Sequence, residues 1–126
     1  MFYIFNSQKE RRNTGGSCFI EFQFCRLPVG TKIEEIVDSS VHWLDDSLYV
    51  SDESPFYEKY SKFFDCGIYA NLECGIVDMY GINYYSSDKI DIIIGKILNE
   101  KPEDYQKLVE WLEKAKEYNG FYILGI

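Results

Sequence analysis

The amino-acid sequence predicts one α+β domain over residues 1–126, with a mixed or mostly antiparallel sheet and about four helices packed on it. Length is the first observation, because 126 residues are enough for one hydrophobic core and too few for two. The second is the order of the apolar patterns. Strand-like and helix-like segments follow one another without the regular alternation that is typical of a parallel sheet.

Two strands are predicted in the first 26 residues. Residues 2–5 are short, aromatic and β-branched, and residues 18–26 alternate between apolar and polar side chains, with Glu21 and Gln23 among the polar ones. The alternation places four residues of the second strand on one face: Cys18, Ile20, Phe22 and Phe24. Residues 6–17 are polar and contain glycine, which indicates a loop. We therefore expect the two strands to form a hairpin.

A helix is predicted after the chain break at residues 27–30. Thr31 and Glu34 have the spacing of a capping box, in which each side chain satisfies the exposed backbone N–H of the other residue. Five apolar residues then follow at helical spacing: Ile33, Ile36, Val37, Val41 and Leu44. The residues off this stripe are largely acidic, so we expect an acidic outer face.

A short strand is predicted at residues 47–50, and a second helix begins at Ser54 and Pro55, which suit an N-cap and a first helical position. The apolar face of this helix comprises Phe56, Tyr57, Tyr60, Phe63 and Phe64. Residues 67–72 and 76–85 are predicted to be paired strands.

The last third of the chain predicts two helices and a strand. After Ser86 and Ser87, apolar residues repeat at helical spacing: Ile90, Ile93, Ile94, Ile97 and Leu98. The final helix opens at Pro102, and its apolar face comprises Tyr105, Leu108, Val109, Leu112 and Ala115. Residues 121–126 are almost wholly apolar, which predicts a buried final strand.

The net charge of −8 is concentrated in the middle of the chain. Residues 1–32 carry a net charge of +3, residues 33–78 carry −9 and residues 79–126 carry −2. A negative balance argues against binding to nucleic acid or to anionic membrane surfaces, because both need clustered lysine and arginine. No segment approaches the roughly 18 consecutive apolar residues of a membrane span, and no signal-peptide pattern is visible. We therefore expect a cytoplasmic protein with reduced cysteines.

Few motifs indicate catalysis. The sequence has neither a phosphate-binding glycine loop nor a nucleophile elbow, and its cysteine spacings do not suit zinc, so we predict no enzyme and no cofactor. The one alternative is a small metal-dependent hydrolase centred on His42, Asp45 and Asp46, at positions i, i+3 and i+4. His42 lies about 180° from Ile33 on a helix, which favours an ordinary surface histidine.

The acidic middle of the chain also contains aromatic residues, and this combination is typical of protein–protein interfaces. Carboxylates would accelerate the encounter with a basic partner, and aromatic rings would anchor it. An acidic solvated face with the aromatic rings turned inward explains the same pattern. The candidate partner-binding residues are Asp38, Trp43, Asp45, Asp46, Tyr49, Asp52 and Glu53.

The chain resembles the bacterial immunity proteins of contact-dependent inhibition and polymorphic-toxin systems. The resemblance rests on a small acidic α+β domain rich in tyrosine, and on three stretches within residues 76–126: Tyr80 to Tyr85, Pro102 to Tyr105, and Asn119 to Tyr122. It implies a cognate toxin domain as partner, often a basic nuclease, inhibited by occlusion without chemistry. A cytoplasmic regulatory adaptor that binds another protein is the remaining alternative.

Overall fold

A computed structural model describes residues 1–14 and 18–126 of the chain. Within them the strands are β1 (Phe2–Tyr3), β2 (Phe19–Phe24), β3 (Leu48–Ser51), β4 (Gly67–Tyr69), β5 (Cys74–Gly75), β6 (Ile82–Tyr85) and β7 (Phe121–Leu124). The helices are α1 (Gln8–Asn13), α2 (Ile33–Ile36), α3 (Phe56–Tyr60), α4 (Ile90–Glu100) and α5 (Tyr105–Ala115). Short 3-10 turns at Ser61–Phe63 and Ser87–Lys89 extend α3 and precede α4.

The described strands form one antiparallel sheet in the order β1-β3-β2-β7-β6-β4-β5. The last strand of the chain, β7, lies at its centre between β2 and β6, with Ile123 opposite Phe22 on one side and Asn83 on the other. All four residues of β7 are buried, as its continuous apolar run predicts for a strand covered on both faces. The α+β prediction is confirmed.

The main core lies between one face of the sheet and helices α3, α4 and α5. As predicted, Ile20, Phe22 and Phe24 of β2 are buried together on this face, whereas Cys18, predicted beside them, precedes the strand and is only partly buried. The ring of Phe22 makes edge-to-face contacts with Phe56 of α3 and Trp111 of α5 at centroid distances of 5.7 and 5.9 Å. Such pairs contribute ~0.5–1.5 kcal/mol each beyond area burial, so α3 and α5 are held to the sheet largely by aromatic contacts.

A second, smaller core covers the opposite face of the sheet. Ile36 and Val37, at the end of α2, pack there against Cys25, Tyr84, Tyr122 and Leu124. The hydroxyl of Tyr122 donates a hydrogen bond to the backbone oxygen of Ile36 at 2.6 Å. Both faces of the central strands are therefore covered, and this decides what happens to their polar residues.

The predicted helix over Ile33 to Leu44 is wrong, because α2 ends at Ile36. The chain then forms a loop in which the side chain of Val41 is 61% exposed. The backbone N–H groups that would continue the helix have other acceptors: Val41 and Trp43 donate to the side chains of Gln23 and Glu21. Thr31 does not cap α2 either, since its hydroxyl donates to the backbone oxygen of Pro28.

Four further expectations are corrected. β1 and β2 do not form a hairpin, because β3 pairs with both and lies between them. Part of the predicted loop 6–17 is helix α1, capped by the Ser7 hydroxyl, while residues 15–17 lie outside the described part of the chain. The predicted strand 76–85 begins only at Ile82, and the residues before it turn. Tyr57 and Leu98, expected on apolar helix faces, are both exposed.

Candidate functional site

A buried carboxylate, Glu21, lies on the second face of the sheet, where its side chain is 3% exposed. Its Oε1 accepts the backbone N–H of Trp43 at 2.7 Å. Its Oε2 accepts the N–H of Leu44 at 3.1 Å, the hydroxyl of Ser47 at 2.7 Å and the amide of Gln23 at 3.1 Å. Four donors thus stabilise a charge that would be costly to bury alone.

Gln23, also buried, holds the same loop one step further along β2. Its amide Nε2 donates to the backbone oxygen of Val41, and its Oε1 accepts the N–H of Val41 at 3.4 Å. Together, Glu21 and Gln23 bind the backbone of residues 41–44 much as a neighbouring strand would. The sequence pattern presents these two residues as the polar, solvent-facing side of β2. They lie inside because the loop covers that face.

Trp43 and Tyr49, two of the predicted partner-binding residues, contact one another on this face. Their rings stack at a centroid distance of 6.3 Å, and Trp43 is half-exposed in a left-handed conformation with φ of +70°. Tyr49 is buried, and its hydroxyl donates to the backbone oxygen of Leu44 at 2.7 Å. Burial, followed by the charge of Glu21, raises the pKa of Tyr49. Tyr49 therefore supports the loop from inside and is not available to a partner, whereas Trp43 remains accessible.

His42, Asp45 and Asp46 lie in this loop and not on a helix. His42 is exposed, as predicted, and its Nδ1 lies 3.9 Å from Oε1 of Glu21. Asp46 forms an ion pair with Arg26, and its backbone oxygen accepts the indole N–H of Trp111 at 3.1 Å. In the described part of the chain, no group of three His, Cys, Asp or Glu side chains is arranged to hold a metal ion.

The predicted acidic residues are distributed over three places in the fold. Asp45 and Asp46 precede β3, whereas Asp52 and Glu53 follow it, so the two pairs lie at opposite ends of the strand. Six residues of extended chain correspond to ~20 Å, which is too far for a single point of contact. Asp38 lies elsewhere, in the loop after α2, beside Leu72 and Ile82.

A cleft with a volume of about 680 Å³ lies at the Asp52 end of β3. Its lining includes Asp52, Tyr57, Asp78, Met79, Tyr80 and Ile126. Two smaller clefts elsewhere measure about 210 and 240 Å³. Tyr80 is 81% exposed and Tyr57 is 43% exposed, so both rings offer open surface. A volume of 300–1,000 Å³ is typical of ligand sites, and this cleft combines two carboxylates with two accessible aromatic rings.

One wall of the cleft, the turn at residues 78–81, is held by hydrogen bonds to residues outside it. The buried side chain of Asn83 accepts the N–H of Asp78 at 2.7 Å and donates to the backbone oxygens of Asp78 and Ile123 at 2.8 and 3.0 Å. Gly125 donates to the oxygen of Gly81 at 2.8 Å. A side chain at Gly125 would lie 2.4 Å from the oxygen of Met79, so glycine is required for this close approach.

A second part of the cleft wall is formed by the turn after β3 and the first turn of α3. The backbone N–H of Asp52 donates to the oxygen of Cys18 at 3.3 Å, which ties this turn to the start of β2. Tyr57 projects from α3, which is anchored in the main core by its buried neighbours Phe56 and Tyr60. Both walls of the cleft are therefore fixed by buried structure.

The acidity of residues 33–78 is largely uncompensated. Among the described residues, only Asp46 and Asp65 of its eleven carboxylates have a lysine or arginine within 4.0 Å. The other nine are all exposed: Glu34, Glu35, Asp38, Asp45, Asp52, Glu53, Glu58, Glu73 and Asp78. In residues 79–126, by contrast, most carboxylates have a cationic partner: Asp91, Glu100, Glu103, Asp104 and Glu113. The negative surface is thus a property of one region.

Sequence reasoning missed Asp78, Tyr57 and Tyr80 as site residues. Asp78 and Gly81 occupy the first and fourth positions of a turn, a signal that was available, but the apolar residues around them favoured a continuous strand. Tyr57 has the spacing of a core residue on α3. No local signal indicates that residues 52 and 78 meet across one cleft, since strand order alone decides it.

In the described residues, no helix has the length and apolar character required to cross a membrane. Comparisons of the chain with protein-family models, with curated proteins and with solved structures find no match.

Proposed function

We propose that this chain is an immunity protein, which binds a cognate, basic toxin domain of the nuclease type and neutralises it by covering its active site. The observation that carries the proposal is the uncompensated charge of residues 33–78, where nine exposed carboxylates have no cation within 4.0 Å among the described residues. The resemblance in composition and in the tyrosine-rich C-terminal stretches supports the same function. The partner is therefore a protein with a positively charged face.

The physical basis is electrostatic attraction followed by exclusion of water. A nuclease holds nucleic-acid phosphates with lysine and arginine, and carboxylates on another protein can occupy the same positions. Charges that no internal cation neutralises generate a field that steers a basic partner and raises the association rate at low salt. At physiological salt this field is screened over ~8 Å, so the exposed ring of Tyr80 and the half-buried ring of Trp43 then supply contact area.

The test is co-expression with a candidate toxin domain. The candidate is the variable C-terminal domain of a large secreted protein whose reading frame lies directly upstream. We expect the chain to restore growth of cells that produce this domain and to co-purify with it. Growth arrest despite full expression of both proteins, with no complex recovered, would contradict the proposal.

A charge-reversal experiment tests the electrostatic basis. Asp45→Lys with Glu53→Lys changes two exposed, unpaired carboxylates of the acidic region, and Glu110→Lys with Glu117→Lys makes the same charge change elsewhere. At low salt we expect the first variant to associate with the toxin domain about tenfold more slowly, with a smaller difference at high salt. The second should stay within about twofold of the parent chain. Equal rates for the two variants would show that the acidic region does not steer the partner.

A further inference from the structure

The 680 Å³ cleft carries an inference beyond general acidity, and it rests on the proposed function because its occupant belongs to the partner protein. Asp52 and Asp78 both line the cleft, and in the described residues neither has a lysine or arginine within 4.0 Å. The rings of Tyr57 and Tyr80 line the same cleft and are exposed. Carboxylates and aromatic faces in one concave site are complementary to a cation.

We infer that this cleft is a recognition pocket for an arginine side chain of the partner, with its guanidinium between Asp52 and Asp78 and its plane against the tyrosine rings. Arginine suits the site better than lysine, because its planar fork donates to carboxylates in pairs and stacks on aromatic faces. Met79 and Ile126 supply apolar surface for its methylene stem.

The pocket is formed before any partner binds. Oδ1 of Asp78 accepts the backbone N–H of Tyr80 at 2.9 Å, which orients this carboxylate, while the Asn83 side chain holds the backbone of Asp78 from the core. Burial, then the charge of Asp78, raises the pKa of Tyr69. Prior organisation lowers the entropic cost of binding, which suits a site that fixes the position of a larger interface.

The test uses the full chain and three blocked peptides, acetyl-Gly-Arg-Gly-amide and its citrulline and lysine counterparts, in a titration followed by NMR. Citrulline keeps the shape of arginine and removes its charge. We expect the arginine peptide to bind in the millimolar range and to shift the amide signals of Asp52, Tyr57, Asp78 and Tyr80, with citrulline giving no saturable shift. Equal responses to the three peptides, or shifts spread over all carboxylates, would overturn the inference.

Substitutions locate the peptide. Asp52→Asn with Asp78→Asn removes both charges while an asparagine oxygen can still accept the N–H of Tyr80, so the fold of the turn is preserved. We expect about tenfold weaker binding of the arginine peptide. Glu110→Gln with Glu117→Gln, the matched control, should bind as the parent chain does. Unchanged binding to the first variant would overturn the inference even if the titration succeeds.

Failure of this inference and failure of the proposed function are distinguishable, because the titration needs no toxin. If the parent chain does not bind the arginine peptide but still rescues growth, only the arginine pocket is refuted. Intact, charge-dependent peptide binding together with failed rescue would refute the immunity function and leave a pocket that recognises arginine in another protein.

Discussion

The side chain of Glu21 provides the sharpest test of how this fold is held together. Two of its four hydrogen bonds come from the backbone N–H groups of Trp43 and Leu44, and a third comes from the hydroxyl of Ser47. Glu21→Ala removes all the acceptors and leaves these donors buried without partners. A hydrogen bond to a charged group contributes ~1.5–3 kcal/mol, and breaking a buried charged network costs ~3–5 kcal/mol. We therefore expect Glu21→Ala to lower the free energy of unfolding by about 4 kcal/mol.

Glu21→Gln is the graded form of the same test. The amide oxygen can take the position of Oε2, which accepts from Leu44, Ser47 and Gln23. Its NH₂ group then faces the N–H of Trp43, so one hydrogen bond is lost and the charge is removed. We expect a loss of ~1–3 kcal/mol. Since small domains have ~5–15 kcal/mol of stability in total, both variants should still fold.

The assay is urea unfolding followed by circular dichroism, together with hydrogen exchange at the amides of Trp43 and Leu44. Both amides should exchange faster in the two variants than in the parent chain. Glu35→Gln, a change to an exposed glutamate, is the control and should stay within ~0.5 kcal/mol of the parent. If Glu21→Ala is as stable as this control, or if the two amides exchange at the parent rate, the loop does not depend on Glu21 and our account of the second face fails.

Three further predictions concern the cleft wall and the buried tyrosines. Asn83→Ala should lower the free energy of unfolding, measured in urea, by ~2–4 kcal/mol and weaken binding of the arginine peptide. A urea midpoint equal to that of the parent chain would contradict the role of this side chain. Gly125→Ala should lower the free energy of unfolding by ~1–3 kcal/mol because its Cβ meets the Met79 backbone. Gly95→Ala, which has open space around it in α4, should raise that free energy by ~1 kcal/mol. Equal effects of the two substitutions would refute the contact at Gly125. Burial, then the charges of Cys25 and Asp88, raises the pKa of Tyr84 to about 12, so the folded state retains a proton that the unfolded state releases above pH 10. The free energy of unfolding should therefore fall as pH rises from 10 to about 12. Tyrosine ionisation, measured by absorbance at 295 nm, should follow the loss of circular dichroism. Ionisation of the tyrosine before the protein unfolds would contradict this. The pKa of other buried tyrosines is raised in the same direction, mainly by burial: Tyr49, Tyr60, Tyr85 and Tyr122.

Much of the main core could be predicted from the sequence because local periodicity determines it. The alternation of Ile20, Phe22 and Phe24, and the helical spacing of the buried isoleucines in α4, place these residues on the faces that the structure buries. The continuous apolar run of β7 likewise marks a strand covered on both sides. In each case the information lies within a few neighbouring residues, and burial of apolar surface is the force that uses it.

The candidate site depends instead on interactions between distant segments. Residues 33–44 have a helical pattern, yet the chain leaves the helix at Ile36 because Glu21 and Gln23 accept the backbone N–H groups of the later residues. Asp52 and Asp78, 26 residues apart in the sequence, line one cleft only because the chain folds their segments together.

By itself, the sequence determined an acidic α+β domain with its charge in the middle third and its core on one face of β2. Only the tertiary structure decided that Glu21 is an internal hydrogen-bond acceptor and that Asp52 and Asp78 line one cleft with Tyr57 and Tyr80. The physical reason is that hydrogen bonds and strand pairing between distant residues compete with local preference. Their outcome depends on partners that no local pattern contains.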